Sequence, residues 1–563
     1  MKQHLVLLTI ILLAFSIRIF LLSTAPSGAL VDEAHFGFIA KSLLETGRDE
    51  HGVLFPLIFK GFGDDKLPAM AYFMTPFVKI FGLSIFSIRF PSVLIGVCIV
   101  LAIYALLREL RFSKNLSLFG AFVTAISPWT FVLSRFGFES NLALLFFIIG
   151  LIFFFRFQTR KSLSAAVWAA VFFGATWYAY IAYRPVTVIF AVLLALLLWR
   201  TGEIAKLRKL FLVFFLVLGL SVLPLFLPGA VKSNATRLKQ VGIFYDPGLV
   251  MQVDENRTFC AMKFSRLICD AAFNKPVVLF TSLLDRWSYM LSPQYLATQG
   301  ELDQPVLNSA GFGQFFPVAY ALLVLGLFAI FVITIQGKGS SLTYSILIGL
   351  LVSPIPALLV GQPQRVRLSV LYPFALISIV YGLRYLFTLV QKPIWQRILS
   401  TLIVFSLIFY TGLYLTDFWS VHTTKREASY ESYLPRLFSY LKQYPIDDEN
   451  IEIVFKPFFS DPLMFYAFYT DIDPRLYQSL AGLGELESSG FQHTVRLGNM
   501  RVENSPDIIA LGCDGRARQK QILLVTDRPE QAPELHKEKS SNDVHTYLYV
   551  YDATGAITSE QCL

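Results

Sequence analysis

Charge is what this chain has least of. Only 15% of its 563 residues are Asp, Glu, Lys or Arg, whereas a soluble domain carries about one quarter. Hydrophobic residues make up 55%, and 53 phenylalanines are too many for one water-soluble core. With a mean hydropathy of +0.57, a soluble fold is excluded and a polytopic membrane protein is implied. A basic patch is also missing. The formal charge of +9 is scattered between apolar runs, a pattern that sets membrane topology and gives no surface for nucleic acid. The chain has no internal repeat and no low-complexity tract. Cysteine is scarce as well, with five residues.

What is present is a succession of apolar runs of spanning length, about 20 residues each. They fall at 5–23, 91–107, 116–133, 141–157, 163–182, 185–200, 209–228, 316–335, 342–360, 368–390 and 396–416. The run 70–83 contains Pro76 and Lys79 and is too short to cross comfortably, so it reads as an interfacial or re-entrant helix. Met1 to Ala25 has the look of a signal peptide, but its apolar stretch is long enough to span and reads as an uncleaved first helix.

Alternate connections carry the basic residues. These are Arg108, Arg111 and Lys114; Arg156, Arg160 and Lys161; Arg200, Lys206, Arg208 and Lys209; Lys338; Lys392 and Arg397. The positive-inside rule places that set in the cytoplasm. The N-terminus is then inside. Residues 24–90, 134–140, 183–184, 229–315, 361–367 and everything after 417 lie outside a cell membrane. Cys98 sits mid-membrane, whereas Cys260 with Cys269 and Cys513 with Cys562 each share one outside segment. An oxidising exterior permits two local disulfides there.

The expected fold class is an all-α polytopic membrane domain with a C-terminal extracytoplasmic α/β domain. The division falls at 1–418, with outer loops 24–90 and 229–315, and 419–563. In the second part Ile451–Phe455, Ile508–Gly512, Ile522–Thr526 and Thr546–Tyr551 read as strands, and Asp461–Thr470 as a helix capped by Asp461. No catalytic motif stands out there.

Chemistry concentrates in the first outer loop. Asp32 and Glu33 stand where the first apolar segment leaves the membrane, a place where carboxylates are costly and by default functional. The bland alternative makes Asp32 the N-cap of a helix from Glu33 to Leu44. Asp64, Asp65 and Lys66 follow, then Leu67 and Pro68. Lys66 either snorkels to lipid phosphate or binds a phosphate as a point charge. The two aspartates are too few oxygens to make a divalent-metal site alone, so a metal remains a possible cofactor and no other is expected.

In the second outer turn, Arg135 and Glu139 lie four apart and either pair with each other or add to the same cavity. Arg184, Arg365 and Arg367 stand at outer helix ends, against the positive-inside trend and without a local acid. They fit a phosphate group or lipid headgroups.

Taken in order, these residues resemble the GT-C fold, polyprenyl-phosphate-dependent membrane glycosyltransferases, of the protein O-mannosyltransferase-like and lipid A aminoarabinose transferase-like kind. The resemblance rests on Asp32-Glu33 after the first helix, Lys66-Leu67-Pro68 and Ser87-Ile-Arg89-Phe-Pro91-Ser92. It extends to Arg135 with Glu139, and to Arg365-Val-Arg367 followed by Leu371-Tyr-Pro373. It covers about residues 1–230, and 316–416 more loosely. Relatives often have Lys-Pro-Pro where this chain has Lys66-Leu67-Pro68.

The resemblance implies a polyprenyl-phosphate-linked sugar as donor and inversion by single displacement. It makes Asp32 the general base, with Glu33 and Glu139 as further catalytic candidates. Lys66, Arg184, Arg365 and Arg367 become donor-phosphate ligands, and Asp64, Asp65 and Arg135 serve acceptor or metal placement. The acceptor is a protein, lipid or glycan hydroxyl, and membrane lipids are standing partners. Two other readings compete: a lipid or polysaccharide transporter, which would more often show repeats and charges at the midplane, and a receptor or scaffold, which leaves the first-loop acids without a purpose.

Overall fold

A computed structural model describes residues 2–61, 65–200, 207–227, 242–243, 247–301, 305–360, 364–456, 461–485, 492–530, 532–539, 547–557 and 562. Contacts group the chain into two compact units. One comprises Met1–Arg18, Val93–Ser134 and Glu139–Leu415, the other Ile19–Ser92, Arg135–Phe138 and Thr416–Leu563.

The first unit is helical. Among the described residues of the chain, seven helices are long and apolar enough to cross a membrane: Ile85–Glu109, Glu139–Arg160, Tyr183–Arg200, Arg208–Phe226, Pro317–Ile335, Arg365–Leu389 and Pro393–Lys425. Four shorter apolar helices, Gln3–Ile19, Lys114–Ile126, Leu163–Ala179 and Thr343–Leu359, carry the remaining apolar runs. Local chemistry explains some of their ends. Pro128 opens a new helix straight after Ser127, and Pro354 precedes a separate helical turn, Ile355–Leu359. The second apolar run begins its helix at Ile85, six residues before the expected start, so Pro91 lies inside the helix.

Phenylalanine fills the space between these helices. Phe154 meets the rings of Phe157, Phe173, Phe190, Phe211 and Phe214 at centroid distances of 4.9 to 6.1 Å. Elsewhere small residues do the work. A Cβ at Gly326 would fall 1.8 Å from the Ser378 carbonyl oxygen, and one at Gly382 would fall 1.9 Å from that of Leu322. The helices Pro317–Ile335 and Tyr372–Leu389 therefore pack backbone to backbone, as apolar helices do when no side chain intervenes.

The second unit holds a seven-stranded mixed sheet. Its strands are β1 (Ile451–Phe455), β2 (Ala481–Leu483), β3 (Thr494–Leu497), β4 (Met500–Val502), β5 (Gln521–Thr526), β6 (Glu534–Lys539) and β7 (Tyr547–Asp552), in the order β2-β3-β4-β1-β5-β7-β6. β1 runs parallel to β4 and β5, and the outer pairings are antiparallel. Val454, Leu511, Ile522, Leu524 and Ala553 form one core against it.

Asp461 caps the helix Pro462–Thr470, accepting from the Met464 amide at 3.4 Å. The segment from Ile508, read above as a strand, is instead the helix Ile508–Arg518. Asp507 accepts from the amides of Ile509 and Ala510 at 2.8 and 3.2 Å, and Arg516 and Arg518 occupy the last turn. Cap and dipole charges outweigh the short apolar run. Disulfides join Cys513 to Cys562 in this unit and Cys260 to Cys269 in the helical one.

The same unit contains the first loop. Lys41 Nζ donates to the Asp471 carboxylate at 2.6 Å and its carbonyl at 2.8 Å. Phe38 meets the Tyr477 ring at 4.9 Å, and Gln478 Nε2 donates to the Asp49 carbonyl at 2.8 Å. The helix that begins with the acid pair is thus tied along its length to residues near the sheet.

Candidate active site

The acid pair lies in the first turn of the helix Val31–Thr46, two and three residues past the N-cap. This corrects the reading of Asp32 as the cap. Leu30 holds that position, and its amide is bound by Glu33 Oε2 at 3.1 Å. Adjacent residues on a helix point about 100° apart, so the two carboxylates meet different surroundings.

Glu33 turns inward and is fully buried. Its Oε1 accepts from Arg89 Nε and the Gly137 amide, both at 2.9 Å, and its Oε2 accepts from Arg89 Nη2 at 2.8 Å. Arg89, also fully buried, spends its other donors on the carbonyls of Leu22 at 3.2 Å, Pro26 at 2.7 Å and Gly28 at 2.6 Å. All five guanidinium N–H groups are therefore used. A buried ion pair is tolerable only under such full satisfaction. The pair locks the start of this helix to the chain that leads into it and to the second outer turn.

Asp32 turns outward. Its side chain is 38% exposed, and Lys66, itself 5% exposed, donates to its Oδ1. Lys66 is placed by its own backbone, which exchanges hydrogen bonds with Phe59 at 2.9 and 3.0 Å, and its ammonium lies 5.3 Å from the Phe36 ring centre. Pro68 then opens the helix Pro68–Phe81. One turn beyond Asp32, His35 Nε2 lies 2.6 Å from Glu50 Oε1, both groups buried. Asp65 is part-buried beside Lys66 in the chain, and Asp64 lies outside the described residues.

The other candidates make contacts of their own. Arg135 is buried and donates to the carbonyls of Phe20, Leu21 and Ala25 at 2.7, 3.0 and 2.6 Å, with its guanidinium 5.5 Å from the Phe418 ring centre. It ties together the backbone that follows the first helix. Glu139 opens the helix Glu139–Arg160, part-buried, in the helical unit.

Arg184 donates to the Trp177 carbonyl at 3.0 and 3.2 Å, and Arg367 to that of Val360 at 2.9 Å. Arg365 is buried against Glu301 at 3.3 Å and Asn308 Oδ1 at 2.7 Å, while its own carbonyl accepts from Trp129 Nε1 at 3.1 Å. Burial pushes the Glu301 carboxyl up to about 7, although the Arg365 charge pulls it down. Arg365 thus has an acid partner, 64 residues away in the chain, beyond the reach of a search for local acids. Among the described residues no three His, Cys, Asp or Glu side chains gather to hold a metal ion.

Arg89 and Gly137 were the positions hardest to read in advance. Arg89 stood in the sequence inside Ser87-Ile-Arg89-Phe-Pro91-Ser92, an arginine at the head of an apolar run. That placement is its only advance signal.

Residues 65–228 match the family described as dolichyl-phosphate-mannose-protein mannosyltransferase. Among solved structures, the Archaeoglobus fulgidus oligosaccharyltransferase tethered with an acceptor peptide is 14% identical. That alignment covers 93% of this chain and 69% of the other, with a TM-score of 0.53. The same enzyme in complex with Zn and sulfate aligns at a TM-score of 0.50, with 14% identity and coverage of 93% and 68%. ArnT from Cupriavidus metallidurans in the apo state is 14% identical over 99% of this chain and 98% of its own, with a TM-score of 0.45. No curated protein matches the chain.

Proposed function

We propose that this chain, a membrane glycosyltransferase of the GT-C fold, transfers a sugar from a polyprenyl-phosphate donor to a hydroxyl acceptor with inversion. The observation that carries the reading is the split of the acid pair. Glu33 is fully buried and ion-paired, whereas the Asp32 carboxylate is open to solvent with Lys66 against it. One carboxylate holds the scaffold and the other is left able to meet a substrate.

In this mechanism Asp32 accepts the proton of the acceptor hydroxyl, whose oxygen attacks the anomeric carbon. The bond from that carbon to the phosphate oxygen breaks, and the polyprenyl phosphate leaves with the electron pair. Removing the proton in the transition state is general base catalysis. Lys66 stabilises the departing charge. Bound donor phosphate would compete with Asp32 for the Lys66 ammonium and so free the carboxylate for its task. No covalent nucleophile is needed. The sheet-bearing unit includes the first loop, which supports a role for the C-terminal residues in shaping the acceptor side.

Lys66→Ala is expected to weaken the apparent affinity for the lipid donor by about 1.5–3 kcal/mol, the worth of a hydrogen bond to a charged group. KM for the donor, measured in detergent with a short-chain polyprenyl-phosphate sugar, checks it. An unchanged KM would remove Lys66 from the donor site. Arg365→Ala, proposed on sequence grounds as a second phosphate ligand, would instead leave Glu301 buried without its cation. Its main expected effect is therefore a lower melting temperature.

The proposed topology has eleven spans, the seven long helices and four short ones together. The N-terminus lies in the cytoplasm, and residues 419–563 form an α/β domain outside. The chemistry then takes place on the outer face of the cell membrane. The disulfides Cys260–Cys269 and Cys513–Cys562 support an oxidising side for both segments. A reporter that works only outside the cytoplasm should be active when fused after Leu563. Activity there of a cytoplasm-only reporter would refute the orientation.

A further inference from the structure

Between the helices Arg208–Val222 and Pro317–Ile335 the helical unit carries a small helical projection. It is made of Pro247–Ala261, Arg266–Ala272 and Lys275–Leu291. Its foot rests on a span: Tyr320 Oη donates to the Leu291 carbonyl at 3.4 Å. Its own core is slight, with Leu249, Val253 and Val278 buried and Leu279 packed on them. Its tip is closed by Cys260–Cys269, with a Cα–Cα distance of 5.6 Å.

The tip is built the wrong way round for water. Phe259, Met262, Phe264, Leu267 and Ile268 are 61%, 71%, 60%, 83% and 53% exposed. Large apolar side chains exposed this closely along ten residues mark a binding surface. Basic residues run through it. From 257 to 275 the chain has Arg257, Lys263, Arg266 and Lys275 against one acid, Asp270. Arg257 and Arg266 share that acid at 3.3 and 3.8 Å, and the Arg266 side chain is still 93% exposed. The helices Arg266–Ala272 and Lys275–Leu291 together are as apolar as a span, yet they meet at a 44° bend.

We infer that residues 259–269 lie in the headgroup layer of an anionic bilayer. Phe264, Leu267 and Ile268 reach the acyl boundary, and Lys263 and Arg266 sit on lipid phosphates. Two features favour lipid over a protein partner. In the chain the projection lies between apolar helices of the same unit, and Tyr320 on one of them donates to its foot at Leu291, so a bilayer is within reach. Over residues 257–275 the surplus charge is positive, four basic residues against one acid, and complements anionic headgroups. Apolar insertion and basic contact are each weak, and stable interfacial binding uses both. The disulfide holds the two signals on one rigid turn.

The test uses the full chain, one copy per nanodisc, in phosphatidylglycerol or in phosphatidylcholine. Trypsin cleavage after Lys263 and Arg266 is followed by mass spectrometry after reduction. The wild type should be cut more slowly in phosphatidylglycerol than the triple variant Phe264→Ser, Leu267→Ser, Ile268→Ser, on the order of tenfold, since three large apolar groups lose their burial. Unreduced spectra confirm that Cys260–Cys269 is intact in the variant.

A second measurement needs no variant. Oxidation of Met262 by a membrane-impermeant oxidant should be slower in phosphatidylglycerol than in phosphatidylcholine. Equal cleavage of wild type and variant, or equal Met262 oxidation in the two lipids, would overturn the assignment. With a single copy in each disc, protection cannot come from a second chain.

Discussion

Asp32→Asn is expected to lower transfer by about 10² to 10⁴-fold, the usual worth of a general base, while the protein still inserts and still binds its lipid donor. The size of the side chain is kept and the helix start is not disturbed, because the amide of Leu30 is held by Glu33 and not by Asp32. Lys66 keeps its backbone hydrogen bonds to Phe59 and stays available to phosphate. Turnover and donor binding should therefore separate cleanly. Near-normal turnover in Asp32→Asn would show that another group takes the proton, and Glu139→Gln would then be the variant to examine. Read from the sequence, the losses rank Asp32, then Glu139, then Glu33. The structure gives Glu33 another kind of loss.

Arg89→Leu is expected to destabilise the protein by about 3–5 kcal/mol, because it leaves the Glu33 carboxylate buried without its cation. The carbonyls of Leu22, Pro26 and Gly28 lose a donor in the same change. The measurement is the melting temperature of purified protein in detergent, with activity assayed well below it. Replacing both partners, Arg89→Leu with Glu33→Leu, should recover stability only in part. The buried charge is gone, but the amides of Leu30 and Gly137 are left without the carboxylate they donate to. A single variant that melts like the wild type would mean that this pair does not hold the helix carrying Asp32.

Much of this was legible because it is local. The apolar runs, the place of Asp32-Glu33 at the end of the first one, and the cap at Asp461 all depend on residues within a few positions of one another. So do the strands over Ile451–Phe455, Ile522–Thr526 and most of Thr546–Tyr551. What was not legible depends on partners far apart in the chain. Glu33 and Arg89 are 56 residues apart, and Glu301 and Arg365 are 64 apart. Nothing in either neighbourhood tells a scaffold arginine from a phosphate ligand.

Arg135 is the same case with a different partner. It donates to three backbone carbonyls just after the first helix, and backbone acceptors leave no mark in a sequence. The segment from Ile508 was misread for a more local reason. Its run of Ile-Ile-Ala-Leu suits a strand or a buried helix equally, and Asp507 before it decides. The grouping of the first loop with the C-terminal sheet was also beyond sequence patterns, because it rests on Lys41, Phe38 and Gln478 meeting residues hundreds of positions away.

The central claim is that the chain uses a polyprenyl-phosphate sugar through Asp32. Its most direct measurement follows a donor labelled in the sugar and in the lipid, incubated with membranes or nanodiscs holding the protein and with a hydroxyl acceptor extract. The account predicts release of free polyprenyl phosphate in step with transfer of the sugar, at a rate lost in Asp32→Asn. Intact donor in the wild-type sample, or equal release from wild type and Asp32→Asn, would contradict it.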